Sequence, residues 1–342
     1  MWKARVRDAF IFAQKFNIQR SINAAKTIAS YYYSRTTRKA VHWGYPLSIS
    51  IEPTTSCNLR CPECPSGLRA FSRPTGMLQT ETFRNVIDQV SAYTPYLILY
   101  FQGEPYLNKA FFDYVQYANS KKMYVATSTN AHYLNDENAR KTVESGLARL
   151  IISIDGTTQE TYKSYRIGGK IDKVLEGAKN VVAWKKKLKS KTPHIIFQFL
   201  VVKPNEHQTG EILQIAKEMG VDEVKFKTAQ VYDYENGNEL IPENEKYSRY
   251  KKNKKSGKYE IKNPLLNHCW KLWQSCVFTW DGKVVPCCFD KDAQHTMGDI
   301  QEQTFKELWQ SNRYQNFRNT VLRSRKEIDI CQNCTEGGKI WI

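Results

Sequence analysis

A chain of 342 residues with 41% apolar and 25% charged residues can bury a full core, with room for a barrel-sized domain and a smaller one, and no apolar run approaches the length that crosses a bilayer. Its nine cysteines fall in short clusters that include the adjacent pair Cys287-Cys288, which fits a metalloprotein of a reducing compartment better than a disulfide scaffold, so a cytoplasmic protein is expected. The formal charge of +17 calls for an anionic substrate, a nucleic acid or an anionic membrane surface, unless it is solvated lysine without a partner.

Residues 1–45 form a basic amphipathic helical segment in this reading. The first 40 carry nine Lys or Arg against one acidic residue, Asp8, and Trp2, Val6, Ala9, Phe10, Ala13, Phe16 and Ile18 recur near helical spacing. The apolar run Ala9–Ala13 is too short for a secretory signal. The helix either lies on a membrane surface, peripheral to the inner face, or on a partner, or it packs on the domain that follows, with Tyr31, Tyr32 and Tyr33 as docking aromatics.

From Leu47 short apolar strands alternate with amphipathic helices, which implies parallel βα units. Strand Leu47–Ile51 runs into Cys57-Asn58-Leu59-Arg60-Cys61-Pro62-Glu63-Cys64, three thiols at separations of four and three residues. Thiolates select iron–sulfur clusters, zinc or cuprous copper, and three on one loop fill three corners of a cube with one left open. Zinc with a fourth ligand from elsewhere is the alternative. Strands are expected at Tyr96–Phe101, Met123–Ser128, Leu150–Ile154, His194–Val202 and Glu223–Thr228, with helices over 80–92, 110–121, 135–145, 171–188 and 206–219. Lys185–Lys191 reads as a helix end, where cations favour the dipole, and Lys251–Lys262 as a loop.

The cysteine spacing, with Asn58-Leu59-Arg60 inside it, resembles the cluster loop of the radical S-adenosylmethionine (SAM) enzymes. The resemblance implies an open partial (βα)6 barrel over 46–232, followed by a lysine-rich linker, 233–263. It also implies a catalytic 4Fe–4S cluster on Cys57, Cys61 and Cys64, whose open iron is chelated by SAM. Gln102-Gly103-Glu104-Pro105 matches the family's Gly-Gly-Glu-Pro, which meets the methionine amino group. Ser153 and Asp155 match positions near the ribose and methionine, Arg166 an arginine for the carboxylate, and Asn130 a further polar contact. Each also has an ordinary reading as a turn or surface residue. Gln102 replaces a glycine, and Glu63 stands where the family often has an aromatic near the adenine.

Beyond residue 263 the rhythm stops and six cysteines follow: Cys269, Cys276, Cys287, Cys288, Cys331 and Cys334. Val277–Val285 reads as a hairpin turning at Asp281-Gly282, and Phe305–Phe317 as a helix. The stretch 264–342 resembles the shortened SPASM, or twitch, module, which implies an auxiliary 4Fe–4S cluster on Cys269, Cys287, Cys331 and Cys334. Cys276 and Cys288 stay unassigned, and a zinc ribbon is the rival.

The expected function is therefore that of a radical SAM oxidoreductase that abstracts hydrogen from a small-molecule, lipid-linked or peptide substrate. A reducing partner such as flavodoxin or ferredoxin is implied. The alternative is a zinc-dependent binding protein for nucleic acid or a membrane surface, although no base-stacking or groove-reading element is found. No general acid or base stands out among the tyrosines, Asp233, Glu235 and the histidines.

Overall fold

The computed structural model describes residues 2–338; Met1 and the last four residues of the expected 264–342 module lie outside them. Along the chain, helices α1 (Trp2–Ala13) and α2 (Ile18–Thr37) precede β1 (Ser48–Ile51), α3 (Pro65–Leu68), α4 (Thr80–Val90), β2 (Tyr96–Ile98) and α5 (Phe111–Ser120). There follow β3 (Tyr124–Thr129), α6 (Asp136–Glu144), β4 (Arg149–Ser153), α7 (Gln159–Tyr165), α8 (Ile171–Lys187), β5 (His194–Val201), α9 (Thr209–Met219) and β6 (Glu223–Thr228). The rest is β7 (Tyr250–Lys252), β8 (Tyr259–Ile261), α10 (Lys271–Gln274), β9 (Ser275–Phe278), β10 (Lys283–Val285), β11 (Gly298–Asp299), α11 (Phe305–Gln310), α12 (Asn312–Ser324) and α13 (Asp329–Gln332).

Two compact units share these elements. Among the described residues one comprises 2–10, 57–70 and 126–263, the other 11–56, 71–125 and 264–338, and the chain crosses between them within α1 and within β3.

In the first unit β3, β4, β5 and β6 pair in parallel, with Ile151 opposite Ser128 and Ile196, and Phe197 opposite Val224. β5 is buried along nearly its whole length, as befits a parallel strand covered on both faces. The connecting helices begin and end where their sequence says they should. Asn135 caps α6 by accepting from the Asn138 N–H, and Gly220, at φ +77, closes α9 in the left-handed conformation. The expected helix 206–219 starts instead as a 3-10 segment, Lys203–Gln208.

The lysine-rich stretch 233–263 contains two short strands, which corrects the expected loop over Lys251–Lys262. β7 and β8 form an antiparallel hairpin, Tyr250 opposite Ile261. Tyr250 is buried, stacks on Tyr234 at 4.4 Å between ring centroids, and donates its hydroxyl to the Val231 carbonyl. Leu240, Ile241, Tyr234, Tyr250, Tyr259 and Ile261 then join Leu59, Cys61 and Tyr165 in one apolar cluster, so the hairpin packs over the cysteine loop.

In the second unit β1 pairs in parallel with both β2 and β9, and β9 turns back antiparallel onto β10, with Gly282 at φ +92 in the turn. α4 buries the stripe Phe83, Val86, Ile87 and Val90. The strand expected over Tyr96–Phe101 stops at Ile98. The helix expected over Phe305–Phe317 is broken at Ser311, which ends α11 and caps α12 by accepting from the Tyr314 N–H. Serine competes for backbone donors better at a cap than in mid-helix. α2 is anchored by Arg20, which is buried. Its guanidinium donates to the carbonyls of Lys15 at 2.6 Å, Ser91 at 2.5 Å, Lys121 at 3.0 Å and Lys122 at 2.7 Å.

Candidate metal centres

The Cys57–Cys64 loop is held by its own unit on several sides. Leu59 is buried in the cluster just described, Arg60 N donates to Ile167 O at 2.9 Å, and the Cys64 carbonyl accepts from Leu68 N in α3. A Cβ on Gly67 would lie 2.5 Å from Cys61 N, so only glycine lets α3 close against the loop. Cys61 is buried, Cys57 and Cys64 half-buried.

Polar groups reach the sulfurs of Cys57 and Cys61. Asn130, just after β3, donates from Nδ2 to Asn58 Oδ1 at 2.7 Å and to Cys57 Sγ at 3.8 Å. Arg166, at the end of α7, donates from Nη1 to Cys61 Sγ at 3.8 Å and from Nε to Asp155 Oδ2 at 2.5 Å. Asp155 is fully buried beyond β4; its other oxygen accepts from Leu200 N at 2.7 Å, and its carbonyl accepts from Asn205 Nδ2 at 2.9 Å. Burial pushes the Asp155 carboxyl up and works against the Arg166 charge as well. Asp155 and Cys61 nonetheless hold the guanidinium well above its ordinary value. Burial raises the Cys61 thiol and Arg166 opposes it. Ser153 is buried at the end of β4, two residues before Asp155.

Three positioning groups escaped the sequence reading. Asn58 meets Asn130 directly. His132 takes a hydrogen bond at Nε2 from Lys170 N, 2.9 Å, so its proton sits on Nδ1 and is donated back to Asn130 O at 3.0 Å. Glu63, the departure from the aromatic expected there, accepts from Tyr232 N at 3.0 Å, tying the loop to the chain after β6.

In the other unit Gln102-Gly103-Glu104-Pro105 follows β2 as a tight turn. Gly103 has φ +71, and a Cβ there would lie 2.2 Å from Thr54 O. Glu104 N donates to Ser56 O at 2.8 Å and its carboxylate accepts from Tyr106 N at 3.3 Å, while Gln102 and Glu104 are both buried. Glu52, fully buried after β1, is bound by both terminal nitrogens of Arg73 at 2.8 and 2.6 Å.

The same unit holds all six C-terminal cysteines, and five of them share Lys271 or Arg325 as a charged neighbour. Lys271 Nζ lies 3.7 Å from Cys288 Sγ and is held well above its ordinary value by Cys288, Cys287, Glu336 and Cys269, against the effect of burial. The Cys288 thiol is pushed down by a hydrogen bond from Cys287 and by Lys271, against the effect of burial. Arg325 Nη2 donates to Cys334 Sγ at 3.1 Å and to Glu336 O at 2.9 Å, and it also feels the charge of Cys269 and Cys331. Cys269 and Cys331 share an apolar cluster with Trp270, Trp273 and Leu322. A Cβ on Gly337, at φ +83, would lie 2.4 Å from Cys269 Sγ. Cys276 stands apart: it is fully buried beside Arg318 in β9 and its thiol is raised by that burial. Among the described residues no three His, Cys, Asp or Glu side chains form a site of the kind that holds one metal ion. Thiol donors with amide and guanidinium groups at their sulfurs are the surroundings that hold and tune iron–sulfur clusters.

Residues 51–183 match the model of the radical SAM superfamily, and residues 269–335 that of the SPASM iron–sulfur cluster-binding domain. The chain belongs to the radical SAM superfamily. The radical SAM domain brings a 4Fe–4S cluster and SAM, and the SPASM domain an auxiliary iron–sulfur cluster. The chain is 25% identical over 301 residues to the AdoMet-dependent heme synthase of Methanosarcina barkeri, across 78% of this chain and 82% of that one. It is 25% identical over 321 residues to the tungsten-containing aldehyde ferredoxin oxidoreductase cofactor-modifying protein of Pyrococcus furiosus, across 84% of this chain and 86% of that one. Among solved structures it resembles SuiB of Streptococcus suis bound to S-adenosylmethionine, with TM-score 0.64 and 14% identity, covering 91% of this chain and 76% of that one. The last likeness is one of fold, and the expected class, α/β with a radical SAM partial barrel and a C-terminal SPASM module, is the class of this chain. It is a radical SAM enzyme, and the zinc-dependent binding protein has no support.

Proposed function

We propose that this radical SAM enzyme is an oxidoreductase that removes a hydrogen atom, and then an electron, from a C–H position of an organic substrate. When bound, the cluster and SAM supply the 5′-deoxyadenosyl radical chemistry; the chain holds, orients and screens. The proposed division is a barrel over 46–232 and an auxiliary-cluster module over 264–342, with 1–45 preceding and 233–263 between.

Cys57, Cys61 and Cys64 would hold the first cluster, leaving one corner to SAM. Gln102, Gly103, Glu104, Asn130, Ser153, Asp155 and Arg166 are the proposed SAM contacts. The observation that carries this reading is Arg166, half-buried and paired with the buried Asp155 while also reaching the Cys61 sulfur. A guanidinium fixed beside a cluster ligand can meet a carboxylate without being reoriented. Cys269, Cys287, Cys331 and Cys334 are the proposed auxiliary ligands. Arg325 donates to the Cys334 sulfur and Lys271 interacts with the charge of Cys287 and Cys269, which offsets negative charge and favours accepting an electron there. An acidic one-electron carrier such as flavodoxin or ferredoxin suits the net charge of +17.

Anaerobic reconstitution followed by iron and sulfide counts, with 5′-deoxyadenosine assayed after adding SAM and dithionite, tests the reading. About eight irons per chain and deoxyadenosine that vanishes in Cys57→Ala are expected. Zinc without iron, and no SAM cleavage, would sink it.

A further inference from the structure

The first turns of α1 are held by ion pairs. Arg5 pairs with Glu223 at 3.1 Å, Arg7 with Asp222 at 3.2 Å, and the buried Asp8 with Arg149. Arg149 and Glu223 are the first residues of β4 and β6, so these ion pairs fasten the helix to the starts of the strands. Trp2, Val6 and Phe10, spaced one turn apart, are left outward at 75%, 49% and 62% exposure. A surface helix ordinarily buries such a stripe, and an outward one marks a contact.

Positive charge stands close to α1 in the same unit. Asp222 also accepts Lys185 at 2.5 Å, so α1 and the last turn of α8 meet at one carboxylate. Lys186, Lys187, Lys189 and Lys191 follow from that turn, all exposed, with Leu188 among them at 42%.

We propose that this face docks on an anionic lipid bilayer, with α1 lying in the plane of the interface. Trp2, Val6 and Phe10 enter the boundary between headgroups and acyl chains, a place that suits the amphipathic ring of tryptophan, and the lysines meet lipid phosphates. Among the described residues no helix is long and apolar enough to cross a membrane, so the contact is made from the surface. A second copy of the chain is the poorer occupant, because it would bring the same lysines against one another, whereas an anionic bilayer is complementary in both hydrophobicity and charge.

The test is flotation of the reconstituted full chain with phosphatidylcholine vesicles, with and without phosphatidylglycerol. Binding is expected only with the anionic lipid, weakening as salt rises. The triple variant Trp2→Ser, Val6→Ser, Phe10→Ser should bind about tenfold or more weakly while keeping its iron content and circular dichroism. The charge-only variant Lys186→Gln, Lys187→Gln, Lys189→Gln should lose part of both the affinity and the salt dependence. Absence of flotation, equal flotation with phosphatidylcholine alone, or unchanged flotation of the triple variant overturns the proposal. A dimer in sedimentation equilibrium that the triple substitution dissolves would assign the row to a second copy and overturn it too.

Discussion

Arg166 and Asp155 meet at 2.5 Å in a site where the carboxylate has no solvent exposure. Removing one partner leaves the other charge buried. Arg166→Met should therefore destabilise the protein by about 3–5 kcal/mol in chemical denaturation, and the double variant with Asp155→Leu should recover part of that loss. Equal stability of wild type and single variant would show that the pair carries no such burden.

The donors at the sulfurs should set the cluster potential. Asn130→Leu removes the Nδ2 group 3.8 Å from Cys57 Sγ. It is expected to keep full iron content but lower the midpoint potential by roughly tens of millivolts, measured by redox titration followed by electron paramagnetic resonance.

Gly103→Ala would place a methyl group 2.2 Å from the Thr54 carbonyl at a φ of +71. Either the turn moves or the backbone is strained, at a cost of about 1–3 kcal/mol. Loss of SAM affinity in equilibrium dialysis, with the iron content unchanged, is the expected result.

The C-terminal thiols should separate cleanly by iron content. Cys276→Ala, which touches a position beside Arg318 rather than the gathered set, is expected to leave the iron count unchanged. Cys269→Ala should remove about four irons per chain while leaving SAM cleavage in place.

Acid should weaken the second unit through His42. Burial first, then Arg318, hold its imidazole well below the ordinary value, and its Nε2–H donates to Trp273 O at 2.9 Å. A depressed value means that the folded state binds its proton less readily than the unfolded chain. The stability His42 contributes is thus complete above its unfolded value of about 6.5 and lost as pH falls from there through the folded value. Denaturation midpoints at pH 7.5 and 5.5 should differ less in His42→Gln than in wild type.

The βα rhythm and the cysteine loop could be read from sequence because both are local: alternation within a strand, a stripe within α4, three thiols within eight residues. What could not be read depends on partners distant in the chain. Arg20 lies in a basic helix and reads as a surface charge, yet carbonyls some 70 and 100 residues away surround it. Tyr250 and Tyr259 are flanked by exposed lysines that hide a two-stranded alternation, and only Tyr234 and the Val231 backbone reveal why the hairpin forms. The amphipathic pattern of α1 was plain, but its direction was not. Apolar stripes are expected to face inward, and it took Asp222, Glu223 and Arg149 to turn this one out.

Arg20 also changes what the N-terminal segment is. Its guanidinium collects carbonyl oxygens at the end of α4, from Ser91, and at the end of α5, from Lys121 and Lys122, so one side chain serves as the terminal cap of two helices at once. Residues 11–40 therefore behave as a clasp on their own unit rather than an appendage: cutting them away would uncover the carbonyls that Arg20 holds and the pocket of Tyr31 among Trp270 and Trp273.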